Sequence, residues 1–231
     1  MKRIFFSGIK GGVGTTSIVA NLATLLAKAN RPVIAVDLDK KNELGIHFGH
    51  SWTDTLGWSN VINENQWQNF FFKNEDDVCY LPYGDKAFGE NLTCLQKLSL
   101  LDVEPDTWLL LDCPAGTSAE TLNLKEKDLF INVLNCDANC YSLINRQPPH
   151  EINHYYLINR FDAQNNLETD IYQIWRANLN GLAPFFIHTD SAVKEALAYK
   201  NVMINYATYS VAKEDFQALG SWLVTKLKDD A

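Results

Sequence analysis

Apolar runs recur along this chain, with stretches of mixed polarity between them. They lie at residues 3–8, 32–39, 78–84, 108–114, 129–135, 155–160 and 183–188. Hydrophobicity within most of these runs is continuous rather than alternating, which is typical of strands that are buried on both faces of a parallel sheet. The pattern therefore predicts an α/β fold in which helices cover both faces of the sheet.

The segment between the first two runs, TTSIVANLATLLAKAN, has the character of a helix. Ile18, Leu22, Leu25 and Leu26 lie near helical spacing, and the segment begins with hydroxyl residues suited to a helix N-terminus. Strand, helix and strand form a βαβ unit, and right-handed crossovers then build a doubly wound, mostly parallel sheet. We expect a single domain over residues 1–231, with its ligand crevice at the carboxyl ends of the strands.

Charge and cysteine content exclude several classes of protein. The chain has 231 residues and 46% hydrophobic content, and its 20 Lys+Arg against 28 Asp+Glu give a formal charge of −8. This balance disfavours the basic surface that non-specific nucleic-acid binding requires, so we expect no nucleic-acid partner. The cysteines number five, an odd count with no CxxC pair. Neither a disulfide framework nor a zinc site is indicated, and a reducing cytoplasm fits.

The beginning of the chain, MKRIFFSGIKGG, is basic and then apolar, but glycine and lysine soon interrupt it. The apolar run is too short for the core of a signal peptide or for a membrane span. We therefore expect no direct insertion into a membrane.

The loop after the first apolar run carries the clearest chemical signal. Its residues are Lys10, Gly11, Gly12, Val13, Gly14, Thr15, Thr16 and Ser17. Glycines permit close approach of a ligand to the backbone, and the N-terminus of the following helix favours an anion. The loop therefore predicts phosphate binding. Phosphate-binding loops of this kind usually end in Gly-Lys-Ser/Thr, but here Gly14 is followed by Thr15.

Acidic residues follow two other predicted strands. Asp37 and Asp39 are two residues apart, so in an extended segment both carboxylates would point to one side and into the same crevice. Either is suited to order a water near a γ-phosphate. Asp112, at the end of LLLD, occupies the position of an acid that holds Mg²⁺. For each aspartate the alternative is a helix cap or a turn residue.

These motifs resemble those of the ParA/MinD superfamily of deviant Walker A ATPases. The resemblance rests on KGGVG followed by Thr-Ser residues, on VDLD, on LLLDCPAG and on LIN, and it extends over nearly the whole chain. It implies an ATP-sandwiched dimer in which Lys10 contacts the phosphates of the partner subunit. It also implies that Thr16 is the Mg²⁺ hydroxyl, that Asp39 orients the attacking water, that Asp112 is the Walker B acid and that Asn159 reads adenine.

Two departures from the superfamily narrow the resemblance. Ile9 replaces a usual glycine, and Thr15 replaces the lysine of the phosphate-binding loop. Together with NVLNCDANC, DIYQIW and FFIHTDSAVKEALAYKNVMIN, the lysine-free loop is similar to the BcsQ (YhjQ) family of bacterial cellulose-synthase operons. This resemblance implies a cytoplasmic accessory factor of cellulose secretion, which dimerises around ATP and is held peripherally at the inner membrane through partners. A small operon-encoded protein and other secretion subunits are the implied partners.

The missing lysine has a direct physical consequence. An ammonium about 4 Å from a phosphate oxygen contributes a few kcal/mol at intermediate dielectric, and more where charge develops in the transition state. Thr15 offers one neutral hydrogen bond instead. Backbone N–H groups, Mg²⁺ and Lys10 of the partner can still bind ATP, so we expect binding with slow or absent hydrolysis. The alternative is an active ParA/MinD-type ATPase that positions a plasmid, a chromosome, a flagellum or the division machinery, as the retained Asp39 favours.

The remaining signals receive ordinary structural interpretations. HEINH, residues 150–154, matches a zinc-protease pattern with His150 and His154 as ligands and Glu151 as base, but it follows two prolines and continues into a strand-like run rather than a helix. His47 and His50 lack companions for a metal site and are interpreted as ordinary polar histidines.

Two further segments can be read in more than one way. The aromatic residues of segment 52–72 are either core or a docking surface, with core as the default. Segment 213–230 is predicted to be a docked terminal helix rather than a membrane anchor, because acidic residues end it.

Overall fold

The computed structural model describes residues 1–60, 67–85, 91–98, 103–122, 124–146, 153–207 and 209–227. Its strands are β1 (Lys2–Gly8), β2 (Val33–Asp37), β3 (Phe72–Lys73), β4 (Cys79–Leu81), β5 (Trp108–Cys113), β6 (Leu129–Leu134), β7 (His154–Phe161) and β8 (Leu182–His188). Its helices are α1 (Thr15–Lys28), α2 (Asn91–Leu98), α3 (Ala138–Ile144), α4 (Asn166–Asn178), α5 (Ser191–Ala198), α6 (Met203–Tyr206) and α7 (Val211–Lys226).

The strands form one eight-stranded sheet in the order β3-β4-β2-β5-β1-β6-β7-β8. All pairs are parallel except β3 with β4 at one edge. From β1 the chain crosses to β2 on one side, whereas from β5 it crosses to β6 on the other. Loops that diverge from adjacent parallel strands leave a crevice between them, and here β1 and β5 are adjacent. The mostly parallel, doubly wound fold expected from the sequence is confirmed.

Burial on both faces of the sheet explains the continuous apolar runs. Along β1, Ile4 and Phe6 pack into one core layer with α1 and α7, whereas Phe5 packs into the opposite layer. Successive side chains of a strand point to opposite faces, so a strand covered on both sides needs apolar residues at every position. Each apolar run of the sequence corresponds to a strand of this sheet, and only β3 lacked a signal. An edge strand of two residues is too short to show a pattern of apolar and polar positions.

The terminal helix expected from the sequence is present and docked. In α7, Phe216, Leu219 and Leu223 are fully buried against the sheet and α1. Gly220 does not interrupt the helix. A Cβ at this position would lie 3.7 Å from Leu22, which is an ordinary packing distance. Of the residues described, no helix combines the length and the apolar character needed to span a membrane.

The aromatic residues of segment 52–72 do not share one environment. Trp58 is buried and donates from its indole N–H to the carbonyl of Asp37 at 2.7 Å. Phe70 and Phe71 are partly buried against the same core layer. Trp52 instead has 60% of its surface exposed. The default interpretation as core therefore holds for Trp58 and fails for Trp52, while the side chain of Trp67 lies outside the described residues.

Candidate nucleotide-binding site

A pocket of about 290 Å³ opens at the carboxyl ends of β1, β2, β5 and β7. The predicted site residues in its wall are Lys10, Gly11, Gly12, Gly14, Thr15, Thr16, Ser17, Asp39 and Asp112. The crevice expected from the strand order therefore exists where the polar loop residues converge. Val13 is an exception among the predicted loop residues. Its side chain is buried in the core, because the loop needs an apolar anchor beneath the turn.

Helix α1 directs uncapped amides into this pocket. Gly14 precedes the helix in the left-handed conformation at φ 94°, and no side chain caps the first turn. The first N–H groups of a helix lack intrahelical partners and carry partial positive charge. No acidic side chain occupies the first turn. The N-terminus of α1 is therefore suited to hold an anion, which agrees with the prediction from the glycine-rich loop.

Two glycines hold the loop in its tight path. A Cβ on Gly8 would lie 2.6 Å from the Val13 side chain and 2.7 Å from the backbone oxygen of Lys10. A Cβ on Gly14 would lie 2.4 Å from Nδ2 of Asn159. That same Nδ2 donates to the carbonyl of Val13 at 2.7 Å. The end of β7 is thus packed directly against the phosphate-binding loop.

Thr16 and Asp112 lie together as a hydroxyl and carboxylate pair. Both residues line the pocket, and Asp112 is 2% exposed. Burial raises the pKa of Asp112 well above its ordinary range, and the neighbouring Asp37 carboxylate adds to the rise. A buried carboxylate with a raised pKa gains most from a cation. Hydroxyl and carboxylate oxygens are ligands that suit Mg²⁺, so the donors present fit that ion.

Asp37 and Asp39 do not share the crevice, contrary to the sequence expectation. Strand β2 ends at Asp37, and the chain then turns. Asp37 is 1% exposed and accepts hydrogen bonds from the backbone N–H groups of Asp39 and Leu44, each at 2.9 Å. Its buried carboxylate therefore stabilises the loop that follows β2. Asp39 alone lines the pocket. Its Oδ1 accepts the backbone N–H of Lys41 at 3.1 Å.

Lys10 is bound within its own chain in this structure. Its Nζ lies 2.8 Å from Oδ2 of Asp137, the residue that caps the N-terminus of α3. The hydrogen bond to Asp137 raises the pKa of Lys10. Partial burial opposes ionisation of Asp137, but its hydrogen bonds to Lys10 and the Cys140 backbone leave its pKa below the ordinary value. The lysine expected to act across a dimer is therefore charged and held beside the loop by a carboxylate.

Arg160 is a functional candidate that motif reading missed. It lies directly after Asn159 near the end of β7, in the left-handed conformation at φ 54°. Its Nη1 donates to the carbonyl of Gly12 at 2.7 Å, and its guanidinium lines the phosphate pocket. Positive φ in a residue other than glycine is uncommon and concentrates at functional sites. The sequence could have indicated Arg160 by its position at the end of a predicted strand, where ligand-binding residues are expected.

A second cavity of about 210 Å³ adjoins the first. The two share Gly14, Ser17, Arg160 and Leu197 in their walls. Apolar residues of the second cavity are Ile18, Val193, Leu197 and Phe216, and its polar rim includes Asn159, His188 and Asp190. Lying beyond the first turn of α1, this cavity is placed to receive the part of a nucleotide that extends away from its phosphates.

His47 is buried in the wall of the phosphate pocket, and burial lowers its pKa from 6.5 to about 4. Between these values the unfolded chain binds a proton that the folded chain does not. The free energy of unfolding therefore falls as the pH drops from about 6.5 to about 4. We expect His47→Gln to remove this part of the acid sensitivity, on the order of 3 kcal/mol at the lower pH.

Urea unfolding of wild type and His47→Gln across this range measures the effect. Burial raises the pKa of Asp37 to about 7, so Asp37 adds stability as the pH falls from there toward its ordinary value. This opposite contribution is common to both proteins and cancels in their difference. An unchanged pH slope in the variant would show that His47 is not held neutral by the fold.

Within the part of the chain that the structure describes, the other histidines form no group that could hold a metal ion. His154 begins β7, and its ring lies edge-on to Phe130, so the HEINH segment runs into a strand as the sequence indicated. His150 and Glu151 lie outside the described residues. His50 is buried, with Nδ1 3.2 Å from the Tyr80 hydroxyl.

Solved structures with the same architecture define the fold class of this chain. MinD of Aquifex aeolicus, in its complex with MinC, superposes with a TM-score of 0.75 at 15% identity, over 97% of this chain and 96% of that one. MinD of Pyrococcus horikoshii complexed with Mg-ADP gives 0.72 at 20% identity, over 96% of both chains. The fold is that of the ParA/MinD-like P-loop NTPases.

The sequence itself matches one particular protein family. Residues 1–224 match the family described as cellulose biosynthesis protein BcsQ. The cellulose biosynthesis protein BcsQ of Escherichia coli K12 is 30% identical over 228 residues, covering 93% of this chain and 91% of the relative. The chain belongs to the BcsQ family, and the resemblance identified from the sequence motifs is confirmed.

Proposed function

We propose that this protein binds ATP with Mg²⁺ and dimerises around the nucleotide as a regulatory component of cellulose synthesis and secretion, with slow or absent hydrolysis. The supporting observation is that one loop keeps the groups suited to bind a nucleotide and lacks the usual lysine. The uncapped α1 N-terminus and the Thr16–Asp112 pair are suited to hold phosphates and Mg²⁺, yet Thr15 supplies no charge where a lysine is usual. Binding elements are retained and a main element of phosphoryl transfer is absent.

The comparisons support the cofactor part of this proposal. The Pyrococcus MinD structure contains Mg-ADP, and a plasmid partition protein of Borrelia burgdorferi is bound to AMPPNP. When bound here, Mg²⁺ would neutralise phosphate charge beside Thr16 and Asp112. We further propose that Asn159, whose Nδ2 is bonded to Val13, uses its Oδ1 for adenine. Oδ1 has no hydrogen-bond partner within the described part of the chain.

A second candidate is an active ATPase that positions another cargo. Asp39 favours it, because its carboxylate lines the pocket that also contains Thr16 and Asp112. In this case Lys10, Arg160 or both would supply the charge that Thr15 lacks. Phosphate release and molecular mass, followed together after addition of ATP and Mg²⁺, distinguish the two. A stable ATP-dependent dimer without turnover supports the first, and rapid turnover supports the second.

The partners and the cellular location also belong to the proposal. We assign the protein to the cytoplasm, held peripherally at the inner membrane by a small protein of the cellulose operon and by other secretion subunits. Family membership supports this assignment. Exposed Trp52 at the pocket rim and exposed Tyr199, stacked on Tyr206, are available for such contacts.

Lys10→Ala is expected to weaken the ATP-bound dimer. If Lys10 leaves Asp137 and reaches the partner's phosphates, its loss removes an intermolecular charge–phosphate contact and costs on the order of tenfold or more in dimer affinity. Folding should change little, because the Lys10–Asp137 pair is partly exposed. Light scattering with and without ATP measures the dimer, and thermal unfolding measures stability.

Two variants make this test specific. Lys2→Ala removes another partly exposed pair, with Asp106, at the opposite end of β1 and should leave the dimer unchanged. Asp137→Asn keeps a capping side chain for α3 but releases Lys10, so it should maintain or strengthen the dimer. Equal dimer fractions in wild type and Lys10→Ala would contradict the proposed role across the interface.

A further inference from the structure

The second cavity contains a histidine and carboxylate pair that no sequence motif indicated. His188 ends β8 and lines the cavity, and Asp215 lies on the neighbouring helix α7. Nδ1 of His188 is 2.8 Å from Oδ2 of Asp215. The backbone N–H of His188 donates to the same oxygen at 2.9 Å. The ring is also held edge-on to Phe186, with centroids 4.9 Å apart.

This arrangement fixes which ring nitrogen carries the proton. A carboxylate can only accept hydrogen bonds, so the contact between Asp215 and Nδ1 requires Nδ1 to be the protonated nitrogen. In the neutral ring Nε2 then presents a lone pair. Nε2 has no partner among the residues described, and the His188 side chain is 37% exposed at the cavity wall. The cavity therefore gains a hydrogen-bond acceptor of fixed orientation.

The carboxylate of Asp190 in this wall is engaged within the chain at both oxygens. Asp190 accepts the Ala192 N–H with one oxygen and the Ser210 hydroxyl with the other, at 2.9 and 2.6 Å. The donor group of Asn159 is bonded to the Val13 carbonyl. His188 thus offers a free ring nitrogen beside an apolar wall suited to a flat ring.

We propose that His188, oriented by Asp215, accepts a hydrogen bond from the 6-amino group of adenine and so selects ATP over GTP. This inference rests on the proposed nucleotide-binding function and deepens it. Adenine presents an N–H donor at position 6, whereas guanine presents the O6 acceptor, which would face the Nε2 lone pair. A site built around a hydrogen bond rejects the analogue that leaves its polar group unpaired. Asp215 is a positioning residue in this scheme.

Affinities for three probes, all with Mg²⁺, test the assignment. The comparison of ATP with GTP measures recognition of the base. Inorganic tripolyphosphate has no base and measures binding of the phosphates alone. His188→Phe keeps a flat ring without the acceptor. It should weaken ATP binding by roughly 3- to 10-fold, the range of one neutral hydrogen bond, while GTP binding stays equal or improves and tripolyphosphate binding is unchanged.

Asp215→Leu tests the positioning role. Without the carboxylate the ring is free to change tautomer, so the preference for ATP over GTP should shrink as it does in His188→Phe. The double variant should lose no further selectivity, because both changes act through one hydrogen bond. A loss of stability alone would not change the ratio of the two affinities.

Nitrogen-15 NMR of the wild-type histidines supplies a readout that needs no altered protein to fold. We expect one histidine with Nδ1 protonated and Nε2 unprotonated, whose Nε2 resonance shifts with ATP and not with tripolyphosphate. A doubly protonated ring, or a resonance that responds equally to both probes, would overturn the inference. So would an unchanged ATP to GTP ratio in His188→Phe. If wild type binds none of the three probes, the proposed function itself fails.

Discussion

Gly14→Ala is expected to lower ATP affinity by about 100-fold. Gly14 has φ 94°, a conformation in which a Cβ costs roughly 1–2 kcal/mol. That Cβ would also lie 2.4 Å from Nδ2 of Asn159, so the hydrogen bond to the Val13 carbonyl would be displaced at a further cost of about 1 kcal/mol. Together these shift the loop and the first amides of α1, which form the phosphate cradle. Isothermal titration with ATP and Mg²⁺ measures the loss.

Gly49→Ala is the control outside the pocket. Gly49 also has a positive φ, 84°, but a Cβ there would meet no protein atom within 4 Å. We expect ATP affinity within about threefold of wild type, since Gly49 does not line the pocket. Equal losses in the two variants would show that the effect comes from backbone strain in general, and would remove the special role of the contact between Gly14 and Asn159.

Thr15→Lys is expected to raise the rate of ATP hydrolysis by about tenfold or more. The added ammonium would stabilise charge that develops on the transferring γ-phosphoryl, and a gain of only about 1.4 kcal/mol in the transition state gives this factor. Asp39 and Thr16 already line the pocket, where they are placed to orient water and to bind Mg²⁺. Single-turnover hydrolysis with wild type and variant measures the change.

The double variant Thr15→Lys with Asp39→Ala separates chemistry from binding. If Asp39 orients the attacking water, the double variant should lose the gained rate and keep its ATP affinity. A competing result has a physical basis, because Lys10, Lys41 and Arg160 already line this pocket and a fourth cation would be repelled by them. A looser dimer with no gain in rate would result. Wild type that already hydrolyses ATP as fast as Thr15→Lys would refute the proposal that this loop holds ATP rather than cleaving it.

Much of the fold was predictable because its determinants are local. Strands buried on both faces require apolar residues at every position, and each such run became a strand of the sheet. The helix after the first run followed from its spacing and began at Thr15 as expected. The two-residue strand Phe72–Lys73 left no detectable pattern. Its formation depends on an edge that β4 supplies from elsewhere in the chain.

The candidate site was predictable to the extent that its residues are adjacent in sequence. The loop residues 10–17, Asp39 and Asp112 follow from motif spacing and from the rule that strand ends meet at one edge. The different placement of the Asp37 and Asp39 carboxylates could not be predicted from the sequence. Spacing places both on one side of a strand, but β2 ends at Asp37, and the buried turn uses that carboxylate for its own backbone N–H groups.

The sequence by itself determined the class of fold, the family and the presence of a phosphate-binding loop without its lysine. Tertiary structure alone decided which groups are brought to that loop from distant positions. Lys10 is paired with Asp137, Gly12 is contacted by Arg160, and Asp215 orients His188 in the adjoining cavity. Local patterns record burial and backbone conformation, whereas these pairings depend on strand order and helix packing, which bring together residues that have no periodic relation along the chain.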